Sequence, residues 1–141
     1  MRFTGRTIDK RKRQSGRMRV IMSFNVVTWN LEWATPTSWR GQELRRRIFD
    51  EAPDIVCLTE TTEDFLREDG YTITCDSRPN YDGGHHKRRK VMLWSKSPWT
   101  NTDTTGHDTL TDGRFVRGIT TIGEYPVEVW GVCIPWADSH V

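Results

Sequence analysis

Asn30, Glu32 and Glu60 are the side chains of this sequence whose types and surroundings best suit metal-ion chemistry. Glu60 follows the apolar run Ile55, Val56, Cys57 and Leu58. A carboxylate at the end of such a strand can hold Mg²⁺, a hard cation that takes oxygen ligands and keeps several waters. The plainer reading is a solvated acid, or a cap for a helix starting near Thr62. Asn30 lies in Thr-Trp-Asn-Leu-Glu. Its carboxamide either orients a metal-bound carboxylate or donates to a phosphate oxygen, or it serves as a turn residue, for which Asn is favoured. Glu32 shares a face with Asn30 if the strand continues. It is then a second or water-mediated ligand, and otherwise an exposed acid. Arg114 and Arg117 fall in a strand-like run. Arg matches phosphate in a bidentate way, and the ordinary alternative is an exposed strand cation. His85 and His86 lie in a Gly-rich loop with Lys87, Arg88, Arg89 and Lys90. That loop either touches a polyanion or is simply solvated. Cys133 reads as a packed thiol, because no adjacent residue would lower its pKa.

The elements that must position these residues follow from the local patterns. Phe24 to Leu31 is rich in β-branched and aromatic residues and reads as a strand. Ala34 to Ser38 contains Pro36 and reads as a loop ending in a helix N-cap at Ser38. Leu44, Ile48 and Ala52 recur at helical spacing, with Arg45, Arg46 and Arg47 off that stripe. Pro53 stops the helix at Ala52 or just before. Ile55 to Leu58 is again strand-like. Strand, helix and strand in this span make a crossover unit with parallel strands. Both strands then end at one edge of a sheet, where ligands bind in α/β folds, and Asn30 and Glu60 sit at those ends.

Downstream, Thr62 is expected to cap a short helix running to Asp69, stopped by Gly70. Tyr71 to Cys75 and Val91 to Ser95 read as strands, Asn80 to Lys90 as a polar loop, and Lys96 to Asp112 as irregular. Phe115 to Ile122 and Val127 to Ile134 read as a hairpin turning around Gly123 to Pro126.

The chain has 141 residues, of which 35% are hydrophobic, enough for one domain with a core and too few for two. The mean hydropathy of -0.70 is polar. Seven tryptophans nevertheless exclude general disorder. Charge is uneven. Residues 1–20 carry eight basic side chains against Asp9 alone, so with a net +2 overall the remainder carries −5. This divides the chain into a basic, disordered head (1–22) and a folded part (23–141). The head is either a nucleic-acid-binding arm or a tail without a specific role. Three cysteines at wide spacing fit a reduced compartment and form no zinc-ligand pattern. No stretch has the length of a signal peptide core or a membrane span, so the expectation is a cytoplasmic protein without a membrane partner.

Taken together, Trp-Asn-Leu-Glu at a strand end, a helix closed by Pro-Asp-Ile, and Val-Cys-Leu-Thr-Glu resemble the opening of the endonuclease/exonuclease/phosphatase superfamily. Lys90-Val-Met-Leu-Trp-Ser-Lys-Ser-Pro-Trp99 and Gly113-Arg-Phe-Val-Arg-Gly118 with the following strand resemble its next elements. The resemblance runs from Phe24 to Val141. It implies an α/β fold, part of a two-sheet sandwich of the DNase-I-like type. It implies a metal-dependent phosphoester hydrolase with Mg²⁺, or Mn²⁺, held at Glu60 and with Asn30 supporting the site. It implies a phosphoester substrate, with DNA and RNA among those the family takes. Arg114, Arg117 and His140 are the substrate-side candidates. Cys133 stands where the abasic-endonuclease branch has a Tyr, and His140 does not align with the family's His. The family's later Asp-x-Asn and Ser-Asp-His motifs are not found. The expectation is therefore a fold whose C-terminal half is missing, weakly active or inactive alone. A nucleic-acid-binding module using the basic head, or a truncated reading frame without function, are the competing readings. The acidic balance after residue 20 weighs against the former.

Overall fold

The computed structural model describes residues 2–3, 23–76, 86–106, 110 and 113–134. A short pairing segment, β1 (Arg2–Phe3), runs antiparallel to β2 (Val26–Asn30). The rest of the basic head lies outside the described residues.

Helix α1 (Trp39–Asp50) begins where the capping residue places it. The Ser38 hydroxyl accepts from the Gly41 amide at 3.1 Å and donates to the Thr35 carbonyl at 2.8 Å. Gly41 is required by proximity, since a Cβ there would stand 1.8 Å from the Thr35 carbonyl oxygen. Leu44 and Ile48 are buried on the inner face. On the outer face Glu43 pairs with Arg46 at 2.9 Å and Arg47 at 2.7 Å. The Arg46 and Arg47 hydrogen bonds draw the Glu43 carboxyl down to about 2. The helix stops at Asp50, and Ala52 is exposed with φ 44°, outside the helical stripe where its spacing had put it. Pro53 bars Ala52 from the right-handed α region, and the left-handed backbone at Ala52 closes the helix end, its amide donating to the Phe49 carbonyl at 2.8 Å.

The chain then enters β3 (Ile55–Thr62), parallel to β2 with Val26 opposite Ile55 and Asn30 opposite Thr59. The expected crossover unit is therefore present. No helix starts at Thr62. The strand continues through it, because Thr62 pairs with Arg88 across the ladder. Only a 3₁₀ turn (Arg67–Asp69) follows, closed by Gly70 at φ 76°. Next come β4 (Thr72–Thr74) and β5 (Arg88–Ser95), giving a five-stranded sheet in the order β1-β2-β3-β5-β4. A second, three-stranded antiparallel sheet holds β6 (Thr100–Asp103), β7 (Phe115–Ile122) and β8 (Tyr125–Val132). The β7–β8 hairpin matches the expectation. Strand β6 falls in the stretch read as irregular. Its residues are polar, and a register shift between Thr100 and Asp103 breaks the alternation a sequence pattern relies on.

Strand β5 shows how one strand serves two layers. Alternate side chains point to opposite faces. Met92 and Trp94 join Leu44, Ile48, Val56 and Leu58 in the layer between the larger sheet and α1. Val91 and Leu93 join Val116 and Cys133 in the layer between the two sheets. Buried Ser95 and Thr120 hydroxyls meet there at 2.7 Å. The molecule is thus a mixed α/β fold with two facing sheets and the helix outside the larger one. Among the described residues, no helix is long and apolar enough to cross a membrane.

Candidate active site at the edge of the parallel pair

Because β2 and β3 are parallel, Asn30 and Glu60 emerge at the same edge. The turn leaving β2 is tied to β3 by main-chain bonds. The Leu31 amide donates to the Thr59 carbonyl and the Trp33 amide to the Glu60 carbonyl, both at 2.9 Å. Leu31 and Ala34 are buried and anchor the turn in the core. Between them Glu32 (φ 47°) and Trp33 (φ 63°) take left-handed backbone, as does Glu60 (φ 50°). Each such non-glycine residue costs on the order of 1–3 kcal/mol, and strain of this kind concentrates at functional sites. Thr59 and Thr61 keep regular partners, Val91 and Arg89, on either side of Glu60. The strand is therefore twisted at one residue without an insertion, and by register Lys90 is the cross-strand neighbour of Glu60.

The side chains divide clearly. Glu60 is half-buried, and its carboxylate has no hydrogen-bond or ion-pair partner among the described residues. Asn30 is exposed. Its Oδ1 accepts from the Glu32 amide at 2.8 Å, which fixes the carboxamide and leaves Nδ2 to donate outward. Glu32 turns to Arg40 of α1, 2.7 Å away, with 63% of its side chain exposed. Arg114 reaches the same region from the second sheet, with Nη1 3.3 Å from the Cys133 carbonyl and 3.7 Å from its Sγ. Burial raises the Cys133 thiol pKa. Arg114 opposes that rise, the Glu60 carboxylate adds to it, and Lys90 opposes it. Glu60, Lys90, Arg114 and Cys133 therefore share one electrostatic neighbourhood.

Arg117 lies elsewhere. It is on the outer face of β7, bonded to Glu128, whose carboxyl it pulls below the usual range. It lines a cavity of about 520 Å³ with Phe115, Trp130 and Val132. His140 lies outside the described residues, and so does His85. A groove of about 490 Å³, lined in part by Thr35, Thr37, Arg45, Thr62 and Lys87, lies beside α1.

Among the described residues, no group of three or more His, Cys, Asp or Glu could hold a metal ion. A Mg²⁺ site does not require one, since that ion is commonly held by one or two carboxylates, several waters and the substrate's own phosphate. The unpartnered Glu60 carboxylate, beside a fixed amide donor, fits that donor set.

One feature of this edge was not read from the sequence. The Arg88 guanidinium lies over the Trp33 ring, 5.2 Å from its centroid. Trp33 directly follows the Asn-Leu-Glu run and Arg88 sits in the basic run 87–90, but nothing in either pattern brings the two together. Their meeting depends on the Thr62–Arg88 register.

Comparison with known proteins agrees with this architecture. A sequence model of the Endonuclease/Exonuclease/phosphatase family matches residues 27–140. Similar solved structures include D. rerio TDP2 complexed with single-strand DNA product. Its TM-score is 0.55 at 14% identity, covering 74% of this chain and 43% of that one. Another is D. rerio TDP2 humanized by 14 mutations, with a TM-score of 0.53 at 13% identity, covering 74% and 44%. At such identities the likeness establishes the fold. The chain spans less than half the length of either structure. None of the curated proteins matches the sequence significantly.

Proposed function

This chain belongs to the endonuclease/exonuclease/phosphatase family, and on that premise we propose that it carries the metal-holding part of a phosphoester-hydrolase site built on Glu60 and Asn30. The observation that carries the reading is the Glu60 carboxylate. It is half-buried, held in strained backbone and unpartnered among the described residues, at the edge where Asn30 presents its amide. Glu60 is the residue that would hold Mg²⁺, or Mn²⁺ in its place. Such an ion, when bound, supplies Lewis-acid polarisation of a phosphoryl oxygen and stabilises the leaving oxygen. Glu32 can join as a ligand through water once it leaves Arg40.

Asn30, its Oδ1 held by the Glu32 amide, would direct Nδ2 to a non-bridging phosphate oxygen at the sheet edge. Arg114, with Nη1 on the Cys133 carbonyl, places a guanidinium, the group that matches phosphate, in the same neighbourhood. The thiol of Cys133 stays protonated at neutral pH, because burial holds its pKa up, so it does not serve as a nucleophile. The substrate class that fits is a phosphodiester. A neighbouring fold has been crystallised with single-strand DNA product, which favours nucleic acid over a small phosphoester.

The test is cleavage of a generic phosphodiester by the purified chain with and without Mg²⁺. The expected result is metal-dependent turnover that falls to the metal-free background in Glu60→Ala. Turnover undiminished in that variant would remove Glu60 from the site.

A further inference from the structure

Most of the described arginines are engaged by carboxylates, Arg47 on Glu43 among them, while Arg67 on the 3₁₀ turn is exposed without such a partner among the described residues. Arg40 pairs with Glu32, Arg45 with Asp69, Arg46 with Glu43 and Asp50, Arg89 with Glu63, and Arg117 with Glu128. Arg88 is different. Half-buried at the same sheet edge as Glu60, it makes no ion pair among the described residues, and its guanidinium carbon lies over the Trp33 ring, 5.2 Å from the centroid. A cation–π contact steadies a guanidinium without using its N–H groups, which match two oxygens of a phosphate. The ring that holds it is itself placed by the site. Trp33 donates its amide to the Glu60 carbonyl and occupies left-handed backbone (φ 63°), where a tryptophan is strained and a glycine would not be. A large aromatic in that conformation, holding an arginine beside the proposed metal ligand, is the arrangement of a preorganised anion contact.

We propose that Arg88, oriented by Trp33, binds a phosphate of a single-stranded nucleic acid next to the phosphodiester acted on at Glu60. This rests on the reading of the site given above and adds a subsite to it. Arg88 is the binding residue and Trp33 the positioning residue. Neither is supplied by the residues that would hold the metal, so the contact operates without metal.

The experiment is fluorescence anisotropy of a short fluorescein-labelled oligo-dT with the full chain in EDTA, repeated across salt concentrations. Arg88→Ala is expected to weaken binding about tenfold or more and to reduce the steepness of the log K against log salt line by about 0.7, the signature of one lost phosphate contact on a single strand. Arg88→Lys keeps the slope and loses part of the affinity, because Lys lacks the planar fork. Trp33→Leu weakens binding with the slope kept, since the charge remains but is no longer held. The slope is the decisive quantity, because a purely structural role for Arg88 would not change it. Unchanged affinity and slope in Arg88→Ala, or no binding by the parent chain, overturns the proposal. A lost contact in Arg88→Ala alongside undiminished cleavage in Glu60→Ala would keep this subsite and reject the Glu60 assignment. The reverse pair of results would do the opposite.

Discussion

At the scale of single residues, the proposed site is marked by backbone strain and by the Glu60 carboxylate, unpartnered among the described residues. Glu32, Trp33 and Glu60 all sit at positive φ, and two of them face each other through the Trp33 amide and the Glu60 carbonyl. Cys57 offers a test of the layer just behind. It retains some accessible area, yet it lies enclosed between the sheets, and burial pushes its thiol up to about 11 from 9.0, helped by neighbouring Cys133 and opposed by a Thr28 hydrogen bond. The folded state therefore holds this proton longer than the unfolded chain. The associated stability is full below pH 9 and is lost as pH rises through about 11. Between those values, the unfolding free energy of the parent should fall relative to that of Cys57→Ala by about 2–3 kcal/mol. Parallel pH profiles would contradict the enclosure. Asn30 and Glu60 were legible at this scale because their positions follow from where two apolar runs end. The left-handed twist at Glu60 was not, since Glu carries no positional signal for positive φ. Arg117 shows the converse. Its spacing from Arg114 allowed either to reach the site, and only the pleat and the inter-sheet packing separate them, Arg114 toward Cys133 and Arg117 toward Glu128.

At the scale of elements, α1 determines whether β2 and β3 run parallel, and therefore whether Asn30 and Glu60 come to the same sheet edge. Its cap and its buried pair Leu44 and Ile48 were implied by Ser38 and the apolar stripe, whereas the close approach at Gly41 was not. Ile48 is fully buried against Val56, Leu58 and Trp94 in the helix layer. Ile48→Ala should cost about 2–5 kcal/mol in chemical denaturation. A loss below about 1 kcal/mol would mean that the helix is not locked to the sheet as described. The elements misread from sequence share a cause. Thr62 looked like a cap because Glu63 and Asp64 follow it, but ladder pairing with Arg88 extends β3 past that signal. Strand β6 is made of Thr, Asn, Thr and Asp, so neither hydrophobic alternation nor length announces it. It forms because β7 offers an edge. Tertiary partners decided both cases, and local pattern does not encode partners.

At the scale of the whole molecule, the two-sheet α/β architecture was readable because the succession of runs resembled one superfamily along most of the chain, and the family match over residues 27–140 agrees. The fate of the basic head was not readable beyond its composition, because charge without apolar periodicity fixes no fold. The account stands or falls on whether the sheet edge of β2 and β3 holds a divalent cation at Glu60. The direct measurement is a Mn²⁺ titration of the isotopically labelled full chain, following paramagnetic broadening of its amide resonances, with Glu60→Gln as the comparison. The account predicts selective broadening at substoichiometric Mn²⁺ around Asn30, Trp33, Glu60 and Lys90, abolished in Glu60→Gln. Broadening centred on other residues, or surviving unchanged in Glu60→Gln, would contradict it.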